Sequence, residues 1–119
     1  MKTVMIVEDT SSELELLSQY VRNAGYTVVT ATNAEEALQK ADSQSFDAVV
    51  TDLVMPGMNG YELCRTLKEN PKTAKVPVMV CSSKNQEIDR LWAMKQGATQ
   101  YIAKPFTEEQ LLQSLKTLV

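Results

Sequence analysis

The sequence predicts an α/β fold in which a five-stranded parallel sheet carries helices on both faces. Three observations lead there. Five short β-type runs alternate strictly with five helical patterns along the 119 residues. Several of the runs are apolar without a break, as in Val4-Met5-Ile6-Val7 and Val78-Met79-Val80, which suits central strands covered on both sides. The connections between elements are short, and strict βα alternation with short connections gives right-handed crossovers.

The elements follow in order. A first strand is expected over Thr3–Val7, a second over Thr27–Ala31, and others over 47–51, 76–81 and 99–102. Between the first two strands, Ser12-x-x-Glu15 offers a capping box. Leu14, Leu17 and Val21 recur there at helical spacing, and Gly25 offers a stop. Asn33-x-x-Glu36 opens the second helix, and Gly60 leads into a third over 61–69. A fourth is expected over 85–97, through Leu91, Trp92 and Met94. Thr107-x-x-Gln110 caps the fifth, whose Leu111, Leu112, Leu115 and Leu118 form an apolar stripe for the core. No repeat, linker or low-complexity tract interrupts the series, so one domain over residues 1–119 is expected.

Composition removes whole classes of function. A net charge of −3 and a pI near 4.9 give no basic face for nucleic acid. The start, Met1-Lys2-Thr3-Val4-Met5-Ile6-Val7-Glu8-Asp9, is neither a signal peptide nor a membrane span. Cys64 and Cys81 lie outside any CxxC pattern and read as small buried apolar residues of a cytoplasmic protein. The chain has no histidine. That excludes a Ser-His-Asp triad, a Cys-His pair, an imidazole metal site and a phosphohistidine carrier. Chemistry is left to carboxylates, lysines, hydroxyls or a hard cation.

In parallel sheets of this kind ligands bind outside the carboxyl ends of the strands. The first strand ends in Glu8-Asp9, the third in Asp52, the fourth in Ser82-Ser83, and Lys104-Pro105 follows the fifth. Three carboxylates crowded on one edge would raise one another's pKa unless positive charge sits among them. Mg²⁺, which takes oxygen ligands, and Lys104 together bring the sum to neutrality. That arrangement suits phosphoryl transfer with Asp52 as nucleophile, Ser82 donating to a phosphoryl oxygen, and the Pro56-Gly57 turn exposing the carboxylate. Taken singly, each residue also fits a plain role. Asp52 would be a turn residue, Glu8 and Asp9 would favour the first helix dipole, and Lys104 and Ser82 would be surface groups. Their joint position at four strand ends favours the chemical reading.

These residues also carry a resemblance. "VEDTSS", "DLVMPGMNGYEL", "VMVCSS" and "YIAKPF", with their separations, make the chain similar to the receiver domain of bacterial two-component response regulators from about Thr3 to Val119. The resemblance implies a flavodoxin-like doubly wound fold with strand order 2-1-3-4-5. It implies a phosphoryl group accepted on Asp52 from a histidine kinase, with Glu8, Asp9, Asp52 and the backbone carbonyl of Val54 as ligands of Mg²⁺, for which Mn²⁺ is expected to substitute. Ser82 matches the family's switch hydroxyl, Tyr101 its switch aromatic and Lys104 its lysine, and Lys104-Pro105 matches a bond that is cis in the family. Glu8 stands where many members carry Asp, which would shift the metal or its waters slightly. Ser82 drawn toward the phosphate would leave space for Tyr101, biasing the face of fourth helix, fifth strand and fifth helix toward a downstream protein partner. Val54 and Lys84 would flank the path of hydrolytic water.

A stand-alone, monomeric signalling phosphoacceptor without an output domain is expected, and not an enzyme with a substrate of its own. Residues 89–98 look like the fourth helix of regulators attached to type IV pilus twitching and phototaxis systems, so a chemotaxis-like motility role is expected. Trp92 would be packing or a partner contact. The other roles considered are an intermediate carrier or phosphate sink in a phosphorelay, and a non-phosphorylated interaction module. A flavodoxin-type carrier would want a hydroxyl- and glycine-rich loop where Glu8-Asp9 stands. A haloacid dehalogenase-type hydrolase would want an acid at Val54.

Overall fold

The computed structural model describes all residues, Met1–Val119, and its elements alternate as expected: β1 (Thr3–Val7), α1 (Ser11–Asn23), β2 (Thr27–Ala31), α2 (Ala34–Ser43), β3 (Ala48–Asp52), α3 (Gly60–Glu69), β4 (Val78–Ser82), α4 (Glu87–Lys95), β5 (Gln100–Ala103) and α5 (Glu108–Leu118). All pairings are parallel, in the order β2-β1-β3-β4-β5. The chain runs outward from β1 to β2, then crosses back to β3 on the other side. That reversal is the switch point, and it lies between the carboxyl ends of β1 and β3.

Alternation along each strand sorts the core into two layers. Val4 and Ile6 face Leu17, Val21, Leu111 and Leu115, under α1 and α5. Met5 and Val7 face the other way, into a layer with Ala37, Leu63, Leu67 and Ala93 from α2, α3 and α4. Leu111 and Leu115 of the α5 stripe are fully buried, whereas Leu112 and Leu118 are half-buried at its margin. Cys64 and Cys81 are buried free thiols, both pushed up in pKa by burial, to about 11 and about 12. No helix is long and apolar enough to cross a membrane.

Three strands begin and end later than the sequence predicts. β3 takes in Asp52 because Asp52 stands in register with Cys81, and β4 takes in Ser82 through its pairing with Ala103. At the other end Asp47 is a bend. Its carboxylate accepts from the Thr3 amide at 2.7 Å, while its own amide donates to the Thr3 carbonyl. Pro77 has no N–H to give a ladder, and Lys68 Nζ donates to the Val76 carbonyl instead of a strand partner.

Helix starts divide between expected and unexpected. Thr107 and Gln110 form the reciprocal capping box that opens α5, and Asn33 Oδ1 accepts from the Glu36 amide at 2.7 Å. The Ser12–Glu15 box does not form. α1 begins at Ser11, so Ser12 lies inside the helix; Thr10 at the cap position makes no side-chain bond, and its amide donates to Glu8 Oε1 at 3.2 Å. α3 has a full capping box from Asn59 and Glu62, one position ahead of Gly60. α4 is shorter than expected and has no side-chain cap.

Candidate functional site

Parallel pairing delivers four strand ends to one edge. Glu8 and Asp9 leave β1, Asp52 ends β3, Ser82 ends β4, and Lys104 follows β5 through a cis peptide bond to Pro105. Glu8, Asp9 and Asp52 each present a carboxylate oxygen, and these lie within 4.8 Å of one another. Lys104 Nζ stands 3.3 Å from Glu8 Oε2 and 3.5 Å from Asp52 Oδ1. Asp52 also accepts from the Leu53 amide at 2.8 Å, which fixes its carboxylate at the strand tip.

Burial governs the electrostatics. The Glu8 side chain is only 1% exposed, Asp52 12% and Lys104 16%. Burial, followed by the charge of Asp52, pushes Glu8 up to about 7 against the pull of Lys104. Burial likewise raises Asp52, again opposed by Lys104. For Lys104 burial acts downward, but Asp52, Glu13 and Glu8 outweigh it and hold the ammonium above its ordinary value. A buried carboxylate whose proton leaves only near neutrality is short of positive charge. One ammonium among Glu8, Asp9 and Asp52 does not supply enough, and a hard divalent cation fits this all-oxygen set.

Sequence reasoning missed Glu13. It lies in the first turn of α1, and its Oε1 is 3.1 Å from Lys104 Nζ, the shortest of that lysine's three ion pairs. The one signal available was a fourth acid shortly after Glu8-Asp9, which reads equally well as a helix-dipole residue. Gly60 was read as a helix start, yet its reason is tertiary. A Cβ there would lie 2.4 Å from the Asp52 carbonyl oxygen and 2.8 Å from Leu53 Cα. The Gly60 amide donates to the Leu53 carbonyl at 2.8 Å, so the first turn of α3 rests on the backbone that carries Asp52.

Ser82 and Tyr101 meet at Lys84. The buried Ser82 Oγ accepts from the Lys84 amide at 3.1 Å, and the Tyr101 hydroxyl donates to the Lys84 carbonyl. Tyr101, inside β5, is buried in this structure, and burial raises its phenol's pKa. Val54 lies in the loop after β3 with its side chain exposed. Trp92 is no core residue. At 46% exposure it lies edge-on to Tyr61, with Lys95 Nζ 5.5 Å from its ring centre.

A doubly wound sheet with an acid cluster and a lysine at its switch point defines a class of proteins, and sequence comparison agrees. The chain belongs to the response regulator receiver domain family, which it matches over residues 4–116. It is 34% identical over its full length to protein PilH of Pseudomonas aeruginosa, covering 98% of that protein. It spans only about half the length of several transcriptional regulatory proteins that it also matches. Among solved structures it resembles the chemotaxis response regulator CheY4 of Vibrio cholerae, at 30% identity and a TM-score of 0.95, covering 100% of this chain and 99% of the other. It also resembles the response regulator TrrA of Thermotoga maritima, solved in complex with Mg²⁺-BeF, at 29% identity and a TM-score of 0.89, with both chains covered completely.

Proposed function

We propose that this chain is a response regulator that accepts a phosphoryl group on Asp52 from a histidine kinase and thereby changes its affinity for a downstream protein. The observation that carries the reading is Asp52 itself: a carboxylate at a strand tip, within reach of both Lys104 and two further acids. In the transfer an Asp52 carboxylate oxygen bonds to phosphorus as the phosphorus–nitrogen bond of a phosphohistidine breaks. The electron pair leaves with the imidazole nitrogen, which takes up a proton. That imidazole belongs to the donor, since this chain has no histidine. Lys104 turns its ammonium toward the incoming oxygens, and the Ser82 hydroxyl donates to one of them. Glu8, Asp9, Asp52 and the Val54 carbonyl would hold Mg²⁺, or Mn²⁺ in its place, which supplies the positive charge that a phosphoryl group needs beside three carboxylates.

Ser82 and Tyr101 hold the same residue, Lys84, so movement of Ser82 toward a phosphoryl group would disturb the loop between β4 and α4. That couples the site to the α4-β5-α5 face, where Ile88, Leu91, Trp92 and Met94 are exposed. A partner that binds one arrangement of this face better than the other is recruited through that difference alone. The likeness to the chemotaxis response regulator CheY4 supports a chemotaxis-like motility pathway. In this reading the chain acts as a cytoplasmic monomer.

The experiment is intact mass after incubation with acetyl phosphate and Mg²⁺. A phosphoryl-sized gain is expected in the wild type and none in Asp52→Asn. A gain that survives the substitution would overturn Asp52 as acceptor. A second expectation concerns lifetime: exposed, apolar Val54 hinders hydrolytic water, so Val54→Asn should lose its phosphoryl mass faster than the wild type. Equal decay would remove Val54 from that role.

A further inference from the structure

We infer that Glu13 is a positioning residue that restrains phosphorylation by holding Lys104 in an ion pair that exists only before transfer; this rests on the reading of Asp52 as phosphoacceptor. Lys104 Nζ has three carboxylate partners, at 3.1 Å for Glu13, 3.3 Å for Glu8 and 3.5 Å for Asp52. The last two belong to the site and are nearly buried. Glu13 is different, because it comes from the first turn of α1 and its side chain is 44% exposed. It therefore draws the ammonium toward solvent and away from Asp52, the more distant partner. Lys104 does not depend on Glu13 for its place, since Glu8 and Asp52 already hold it from inside.

During transfer the ammonium has to serve oxygens that develop on the Asp52 side. A contact made in the ground state and weakened in the transition state raises the barrier. Glu13 also adds a fourth negative charge beside Glu8, Asp9 and Asp52, which disfavours approach of an anionic donor. Both effects have the same sign. The pair is half-exposed, so its effect is moderate, roughly two- to fivefold in rate.

The test compares rates of phosphoryl uptake from acetyl phosphate with Mg²⁺ for wild type, Glu13→Gln, Glu15→Gln and Asp52→Asn. Glu15 is an exposed acid on the same helix with no ion pair to Lys104, so it controls for net charge. Glu13→Gln is expected to take up the group roughly two- to fivefold faster than wild type, with Glu15→Gln unchanged. In about 1 M salt, where screening acts within ~3 Å, the ratio of Glu13→Gln to wild type should approach one. A merely structural role for Glu13 would not produce that salt dependence. Uptake by Glu13→Gln at or below the wild-type rate overturns the inference, as does equal acceleration by Glu15→Gln. Uptake by none of the proteins would instead overturn the phosphoacceptor reading on which the inference stands.

Discussion

Glu8→Gln is expected to make the metal-free protein more stable at pH 8 than the wild type, by up to about 3 kcal/mol. The folded protein raises Glu8 from 4.5 to about 7, chiefly by burial. Below pH 4.5 the side chain is neutral whether the chain is folded or unfolded, and stability is at its full value. Between 4.5 and 7 the unfolded chain gives up the proton while the folded one keeps it, so stability falls as pH rises. Above 7 the folded protein carries a buried carboxylate whose opposite charge, Lys104, is shared with Asp52 and Glu13. Asp52 is raised for the same reason and adds to the slope. Glutamine keeps the shape and removes the charge. Urea denaturation in EDTA at pH 5 and pH 8 reads the effect directly. A wild type equally stable at both values, with no gain from the variant, would show that Glu8 is not destabilised by its burial. Adding Mg²⁺ at pH 8 should restore the wild type far more than the variant, because binding to the folded state stabilises only where the ligand set is intact.

Gly60→Ala is expected to cost about 1–3 kcal/mol in stability and to slow phosphoryl uptake on Asp52. The added Cβ would meet the Asp52 carbonyl oxygen at 2.4 Å and Leu53 Cα at 2.8 Å, and backbone cannot give way as a flexible side chain can. Either α3 lifts from the sheet or the tip of β3 shifts, and both displace the carboxylate from Lys104. Gly25→Ala is the comparison. Its φ of +96° makes alanine unfavourable, but nothing lies within 4 Å of a Cβ there. It should lower the thermal midpoint and leave uptake untouched. Uptake by Gly60→Ala at the wild-type rate would mean that the close approach of α3 does not position Asp52.

Much of the site was legible because a parallel sheet turns separated segments into neighbours without any further information. Glu8, Asp9, Asp52, Ser82 and Lys104 needed only the knowledge that each lies at the carboxyl end of its strand. The apolar runs of β1 and β4 were likewise sufficient for their burial. Glu13 escaped because nothing local marks an acid in a first helical turn as the partner of a lysine after the last strand. Asn59 escaped for a simpler reason: Gly60 stood beside it and drew the helix start to itself. The Ser12–Glu15 box failed because the helix already begins at Ser11, which puts Ser12 inside its first turn, and spacing alone cannot place a helix start to the residue.

The sequence by itself determined the order of elements, the sheet, the family and the residues that gather at the switch point. These follow from periodicity and from chirality, which act along the chain and leave few topologies to choose among. Only the tertiary structure decided that Glu8 is sealed from water, that Lys104 is divided among three carboxylates, and that Gly60 is required by the backbone of Asp52. It also decided that Tyr101 lies inward while Trp92 faces solvent. Burial and charge sharing depend on what distant segments bring to the same few ångströms, and that sum is taken only when the chain has folded.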